Sequence, residues 1–174
     1  VNERKNCIVL IGMPGAGKST LGVVLAKILQ KDFVDADLVI QKHCGTTLQH
    51  VIDEQGPEAF LALENEVLCG LAAENAIIAT GGSAVYSDEA MAHLKTLGPA
   101  VYLEISYESL VARLTDLQDR GVVMKGGVSM SLRDLYEERK PIYESVADIA
   151  VNVDDLSITA AARKVAAAVG RHAG

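Results

Sequence analysis

The sequence predicts an α/β protein: a three-layer α/β/α sandwich whose central sheet has five parallel strands. Three observations predict it. Short continuous apolar runs alternate with amphipathic stretches along the chain, the pattern of strands buried under helices. The apolar residues are mainly Val, Ile, Leu and Ala with no Trp, the side chains that fill a parallel sheet covered on both faces. A glycine-rich loop also follows the first apolar run directly and opens a helical segment.

Each element follows from local patterning. Residues 7–11 (CIVLI) form a continuous apolar strand, and 18–30 form a helix after the loop. A second strand spans 33–35, followed by short helices at 38–43 and 48–55. Pro57 suits the first turn of a further helix, because its missing N–H would be unsatisfied there anyway. Phe60, Leu63, Val67, Leu68 and Leu71 then recur at helical spacing to about residue 73. A third strand covers 76–80 and ends in Gly81-Gly82. Ser87 caps a helix to 97, a fourth strand covers 100–103, and Ser106 starts a helix to about 115. Residues 116–127 mix polar side chains with three glycines and read as a lid. Ser131 and Asp134 have capping-box spacing for a helix running into Pro141. A fifth strand at 149–153 and an Ala-rich helix at 159–169 complete a single domain over residues 1–174.

Composition narrows the function classes. The formal net charge is −7 and no basic stripe is present, which argues against a nucleic-acid partner. No apolar run approaches the length of a membrane span, and no targeting segment is evident, so a cytoplasmic protein is expected. Cys7, Cys44 and Cys69 are odd in number and include no CxxC pair, so neither a disulfide framework nor a zinc site is expected. A monomer is expected, with a small molecule as its partner.

The strongest chemical signal is Gly12-Met13-Pro14-Gly15-Ala16-Gly17-Lys18-Ser19, which matches GxxxxGK[ST] and is followed by Thr20. Its glycines let backbone amides turn onto phosphate oxygens, and the helix amino end adds a favourable dipole. Such a loop implies ATP bound by Gly15, Ala16, Gly17, Lys18, Ser19 and Thr20. Lys18 would reach the β and γ phosphates, and Ser19 would ligate Mg²⁺.

Further residues narrow the class. Asp35-Ala36-Asp37 ends the second strand, and Gly56, Phe60 and Glu64 stand in the order G-x(3)-F-x(3)-E. Thr80-Gly81-Gly82 ends the third strand, Arg113 and Arg120 bracket the start of the lid, and Arg139-Lys140-Pro141-Ile142-Tyr143 follows. In this set and order the chain, from about residue 7 to 153, resembles the shikimate kinase family. The resemblance implies a role for each residue. Asp35 would hold the Mg²⁺ shell through water. Asp37 would bind the acceptor hydroxyls and orient or deprotonate the attacking one. Gly81 and Gly82 would let the acceptor approach the backbone, and Arg113 would stack on adenine. Arg120 would stabilise the transferring phosphate, and Arg139 would grip the acceptor's anionic group. Glu64 reads as a surface or pairing carboxylate.

The chain departs from the family pattern at three places, all on the acceptor side. Leu61 stands where the family has an Arg that clamps a carboxylate, a bidentate contact Leu cannot make. Ser83 replaces the third glycine of a Gly-Gly-Gly run. Gly121 replaces the Pro after the lid Arg, which leaves that loop less restrained. Two explanations fit: Lys125, Arg133 or Lys140 substitutes for the missing cation, or the acceptor is another small hydroxylated molecule such as a hydroxy amino acid or sugar acid. A non-catalytic nucleotide-binding module is the remaining reading, and the retained Asp37 and Arg139 argue against it.

Overall fold

A computed structural model describes residues 6–114 and 131–173. The predicted lid at 116–127, with Arg120 and Lys125, lies outside the described residues.

The five strands are β1 (Ile8–Ile11), β2 (Asp32–Asp35), β3 (Ala76–Ala79), β4 (Ala100–Glu104) and β5 (Ile149–Asn152). They pair in the order β2-β3-β1-β4-β5, and every pairing is parallel. The central β1 is completely buried, as its unbroken apolar run requires, while the edge strands β2 and β5 carry exposed polar residues.

Among the described residues the helices are α1 (Lys18–Leu29), α2 (Ala36–Cys44), α3 (Leu48–Cys69), α4 (Asp88–Leu97), α5 (Tyr107–Leu114), α6 (Leu132–Val146) and α7 (Ile158–His172). The helices α1 and α7 pack on each other against the sheet, and α4 lies on β1 and α6 on β4. From β1 the chain passes through α1 to β2 on one side; from β3 it passes through α4 to β4 on the other. A crevice therefore opens at the carboxyl end of β1, where ligands bind in sheets of this kind.

The structure refines the predicted boundaries. The helix run of α3 is broken at Gly56, whose φ of 87° and ψ of 166° are non-helical, so the predicted restart at Pro57 is present. The helix α2 begins two residues earlier than expected, because the Asp35 side chain accepts from the backbone N–H groups of Asp37 and Leu38. Asp37 thus lies in a helical first turn, not in a strand-to-loop transition. The helix α6 continues through Pro141 to Val146 instead of ending there. Proline removes one backbone donor, but Tyr143 two residues later is fully buried and stacks on Tyr102 with ring centroids 5.3 Å apart. Tertiary packing outweighs the local penalty. A 3₁₀ turn at Ala84–Tyr86, which has no signature in the sequence, follows the glycine pair.

Candidate active site

The phosphate loop has the backbone its glycines allow. Gly12, Gly15 and Gly17 have φ values of 147°, 85° and 92°, a region other residues rarely occupy. At Gly15 a Cβ would also fall 2.7 Å from Leu114 Cδ2. Lys18 is buried inside the turn, and its Nζ donates to the Gly12 and Met13 carbonyls at 2.7 and 2.8 Å. Ser19 Oγ donates to Asp35 Oδ2 at 2.9 Å, while Asp35 Oδ1 caps α2. One carboxylate thus joins the head of α1 to the end of β2. Thr20 is exposed on the first turn of α1.

These residues fit a nucleoside triphosphate and a hard divalent cation. The loop encloses an ammonium group at a helix amino end, and a hydroxyl and a carboxylate meet beside it, the oxygen donors such a cation takes. Arg113 lies against this loop. Its two terminal nitrogens donate to the carbonyls of Ala16 (3.0 Å) and Val153 (3.1 Å), so it ties α5 to the phosphate loop and to the end of β5.

A second cluster is assembled around Gly81 and Gly82. Thr80 anchors this turn to β1, its backbone N–H and its hydroxyl both donating to the Leu10 carbonyl. A Cβ at Gly81 would sit 2.9 Å from Asp37 Oδ1 and 3.0 Å from Glu64 Oε2. A Cβ at Gly82 would sit 2.7 Å from Pro14 Cδ of the phosphate loop and 2.8 Å from Arg139 Nη1. Only glycine leaves space for these groups to approach the backbone. Arg139 is 1% exposed, its Nε donates to Tyr86 Oη at 3.0 Å, and its guanidinium lies over the Tyr86 ring. Tyr143 Oη donates to the Gly82 carbonyl at 2.6 Å.

Glu64 is not a surface carboxylate. It is 3% exposed, its Oε1 accepts from Ser83 Oγ at 2.7 Å, and its Oε2 has no hydrogen-bond partner among the described residues. Burial pushes its carboxyl up to about 7; the Ser83 hydrogen bond opposes this, Asp37 adds to it, and Arg139 opposes it. The order of the G-x(3)-F-x(3)-E pattern marked Glu64, but its burial depends on the 3₁₀ turn and on Ser83, which the sequence does not reveal. Tyr86 carried no sequence signal at all.

Of the cations considered as substitutes for the missing arginine, Arg133 lies over the Tyr107 ring, 4.0 Å from its centroid, and pairs with Glu137. Lys140 pairs with Glu144. Their pairs are within α6 or with α5, not with Glu64. Leu61 itself packs against a small separate cluster around Val51 and Phe60.

A phosphate loop beside an acidic strand end, facing a glycine turn flanked by carboxyl and guanidinium groups, defines a P-loop kinase of small molecules. Comparison with known proteins agrees. The family model described as shikimate kinase matches residues 14–169. Shikimate kinases of Vibrio parahaemolyticus and Francisella tularensis subsp. novicida are 40% and 37% identical over 164 residues, covering 94% and 93% of this chain and 95% and 93% of theirs. The solved structure of shikimate kinase from Acinetobacter baumannii in complex with shikimate matches with a TM-score of 0.82 at 30% identity, over 92% of this chain and 90% of that one. The Aquifex aeolicus shikimate kinase matches with a TM-score of 0.80 at 30% identity, over 96% and 98%. The chain belongs to the shikimate kinase family. It is an ATP-dependent phosphotransferase with an alcohol acceptor.

Proposed function

We propose that this chain transfers the γ-phosphoryl group of ATP to a hydroxyl of shikimate, giving shikimate 3-phosphate and ADP. The observation that carries the reading is the contiguity of the two half-sites. Pro14 of the phosphate loop and Arg139 of the acceptor side meet over Gly82, and Asp37 stands over the adjacent Gly81. An acceptor with one anionic group and several hydroxyls fits across this pair, its carboxylate at Arg139 and its hydroxyls at Asp37.

Phosphoryl transfer demands positioning and charge neutralisation more than covalent chemistry from the protein. Gly15, Ala16, Gly17 and Thr20 contribute to the phosphate cradle, and Lys18 exchanges its loop carbonyls for phosphate oxygens. Ser19 and Asp35, joined by a hydrogen bond at 2.9 Å, would hold Mg²⁺. When bound, the cation neutralises charge on the phosphate oxygens. Asp37 orients the attacking hydroxyl and receives its proton. Arg113 stacks on adenine while tied to the loop, and Arg120 brings charge to the transferring group. The enzyme works as a cytoplasmic monomer, with neither nucleic acid nor membrane as partner. Among the described residues, no helix is long and apolar enough to cross a membrane.

Steady-state ADP release with Mg-ATP, with and without shikimate, tests the reading. A large shikimate-dependent rate is expected. ATP binding without any dependence on shikimate would refute shikimate as the acceptor. Light scattering at working concentration tests the monomer.

A further inference from the structure

The substitution of Leu61 leaves a feature unused by shikimate. A cavity of about 320 Å³, with Leu61, Leu68, Ala84 and Tyr86 among its walls, has Glu64 and Ser83 at its polar edge. Glu64 Oε2 itself is buried beside Gly81, without a hydrogen-bond partner among the described residues. An unpaired carboxylate out of water is costly, and a cationic group brought to it offsets that cost. The arginine of the family pattern would stand three residues before Glu64 on the same helix, and Leu61 supplies no charge there.

Opposite charges stand over adjacent residues. Glu64 Oε2 and Asp37 Oδ1 lie within 3.0 Å of one point above Gly81, and Arg139 Nη1 lies 2.8 Å from the matching point above Gly82. An α-amino acid presents the complementary pair, an ammonium and a carboxylate on one carbon. The charged groups facing Glu64 are Asp37 from α2 and Arg139 from α6, with the Ser83 hydroxyl on its other oxygen.

We propose that this crevice also phosphorylates α-amino acids bearing a side-chain hydroxyl, with the carboxylate on Arg139, the ammonium on Glu64 Oε2 and the hydroxyl at Asp37. The inference rests on the chain's being an ATP-dependent kinase of hydroxyl acceptors. The hydroxyl oxygen forms a bond to the γ-phosphorus, the bond from that phosphorus to the bridging oxygen of ADP breaks, and the hydroxyl proton passes to the Asp37 carboxylate and then to solvent. The products are an O-phosphoamino acid and ADP. Ser83 holds Glu64 in place through Oε1, so the second departure from the family pattern serves the same ligand group as the first.

The test measures ADP release by the full chain with Mg-ATP and, separately, L-serine, L-threonine, L-homoserine and shikimate, with the phosphorylated product identified by phosphorus NMR. At least one amino acid is expected to raise the rate tenfold or more above the ATP-hydrolysis background. Its N-acetyl derivative, which has no ammonium group, is expected to lose that rate at least tenfold. Leu61→Arg, which places a guanidinium one helical turn from Glu64, and Glu64→Gln are each expected to lower the ratio of amino-acid to shikimate kcat/KM about tenfold or more. Equal rates with the N-acetyl derivative, or ratios unmoved in both variants, would overturn the proposal. A response to shikimate alone overturns it while leaving the kinase reading intact, and a response to neither acceptor class removes both.

Discussion

Glu64→Gln is predicted to stabilise the fold increasingly as pH rises. The folded carboxyl titrates at about 7, against 4.5 for a solvated glutamate, chiefly because it is buried. Below about 4.5 the folded and unfolded chains both hold the proton and the group adds no pH dependence. Between about 4.5 and about 7 the unfolded chain releases the proton and the folded chain retains it, so unfolding becomes easier as pH rises. Above about 7 the folded carboxyl ionises as well and the full penalty is present. At 1.36 kcal/mol per pH unit this span corresponds to about 3 kcal/mol. Because Glu64 is 3% exposed, solvent screening discounts little of it. Gln keeps an acceptor for Ser83 Oγ, cannot ionise, and places amide hydrogens where Oε2 is, facing Asp37. Urea unfolding of both proteins without nucleotide, from about pH 5 to about pH 8, provides the assay. Other titrating groups cancel in the difference between the two proteins, which should grow toward about 3 kcal/mol in favour of the variant. A difference that stays constant across this range would show that Glu64 is not held protonated by burial, and the reasoning would fail.

Three other outcomes are expected. Asp37→Asn should lower kcat about a hundredfold or more while ATP affinity, measured by calorimetry, stays within about threefold, because it removes the proposed proton acceptor and leaves the phosphate loop intact. Gly82→Ala should raise the acceptor KM by at least about tenfold and destabilise the fold by about 1–3 kcal/mol, since the added Cβ would fall 2.7 Å from Pro14 Cδ and 2.8 Å from Arg139 Nη1; unchanged KM and melting temperature would contradict the close approach. Arg120→Ala should cut kcat by about a thousandfold if it neutralises the transferring group, whereas a purely structural role would alter ATP binding and leave kcat nearly as it is.

What could be read from the sequence is what depends on local periodicity and on short motifs. The unbroken CIVLI run marked the buried centre of the sheet, and the loop from Gly12 to Ser19 marked the nucleotide half of the site, because both are contiguous in the chain. The doubled role of Asp35 was only half legible. A carboxylate at a strand end is a natural cap or a natural ligand, and the structure has it capping α2 with one oxygen and accepting from Ser19 with the other. The continuation of α6 past Pro141 was hidden because local propensity argues for a stop. The reason it continues is the stacking of Tyr143 on Tyr102, a residue of β4 that lies far away in sequence.

The acceptor half was the least legible part, and its physical logic is the most informative. Leu61 and Ser83 are separate departures in the sequence, one on α3 and one after β3. In space they border the same cavity as Glu64, Leu61 one helical turn before it and Ser83 hydrogen-bonded to its Oε1. Losing an arginine beside Glu64 with nothing else changed would leave both carboxylate oxygens buried and unpaired, which costs more than either group alone. A hydroxyl at position 83 satisfies one oxygen at 2.7 Å and leaves the other directed toward Asp37 and Gly81. The two changes act on one group: the Ser83 hydroxyl lowers the cost of burying Glu64 and leaves a single oxygen without a hydrogen-bond partner among the described residues. A site that had only lost function would more simply have lost the carboxylate too.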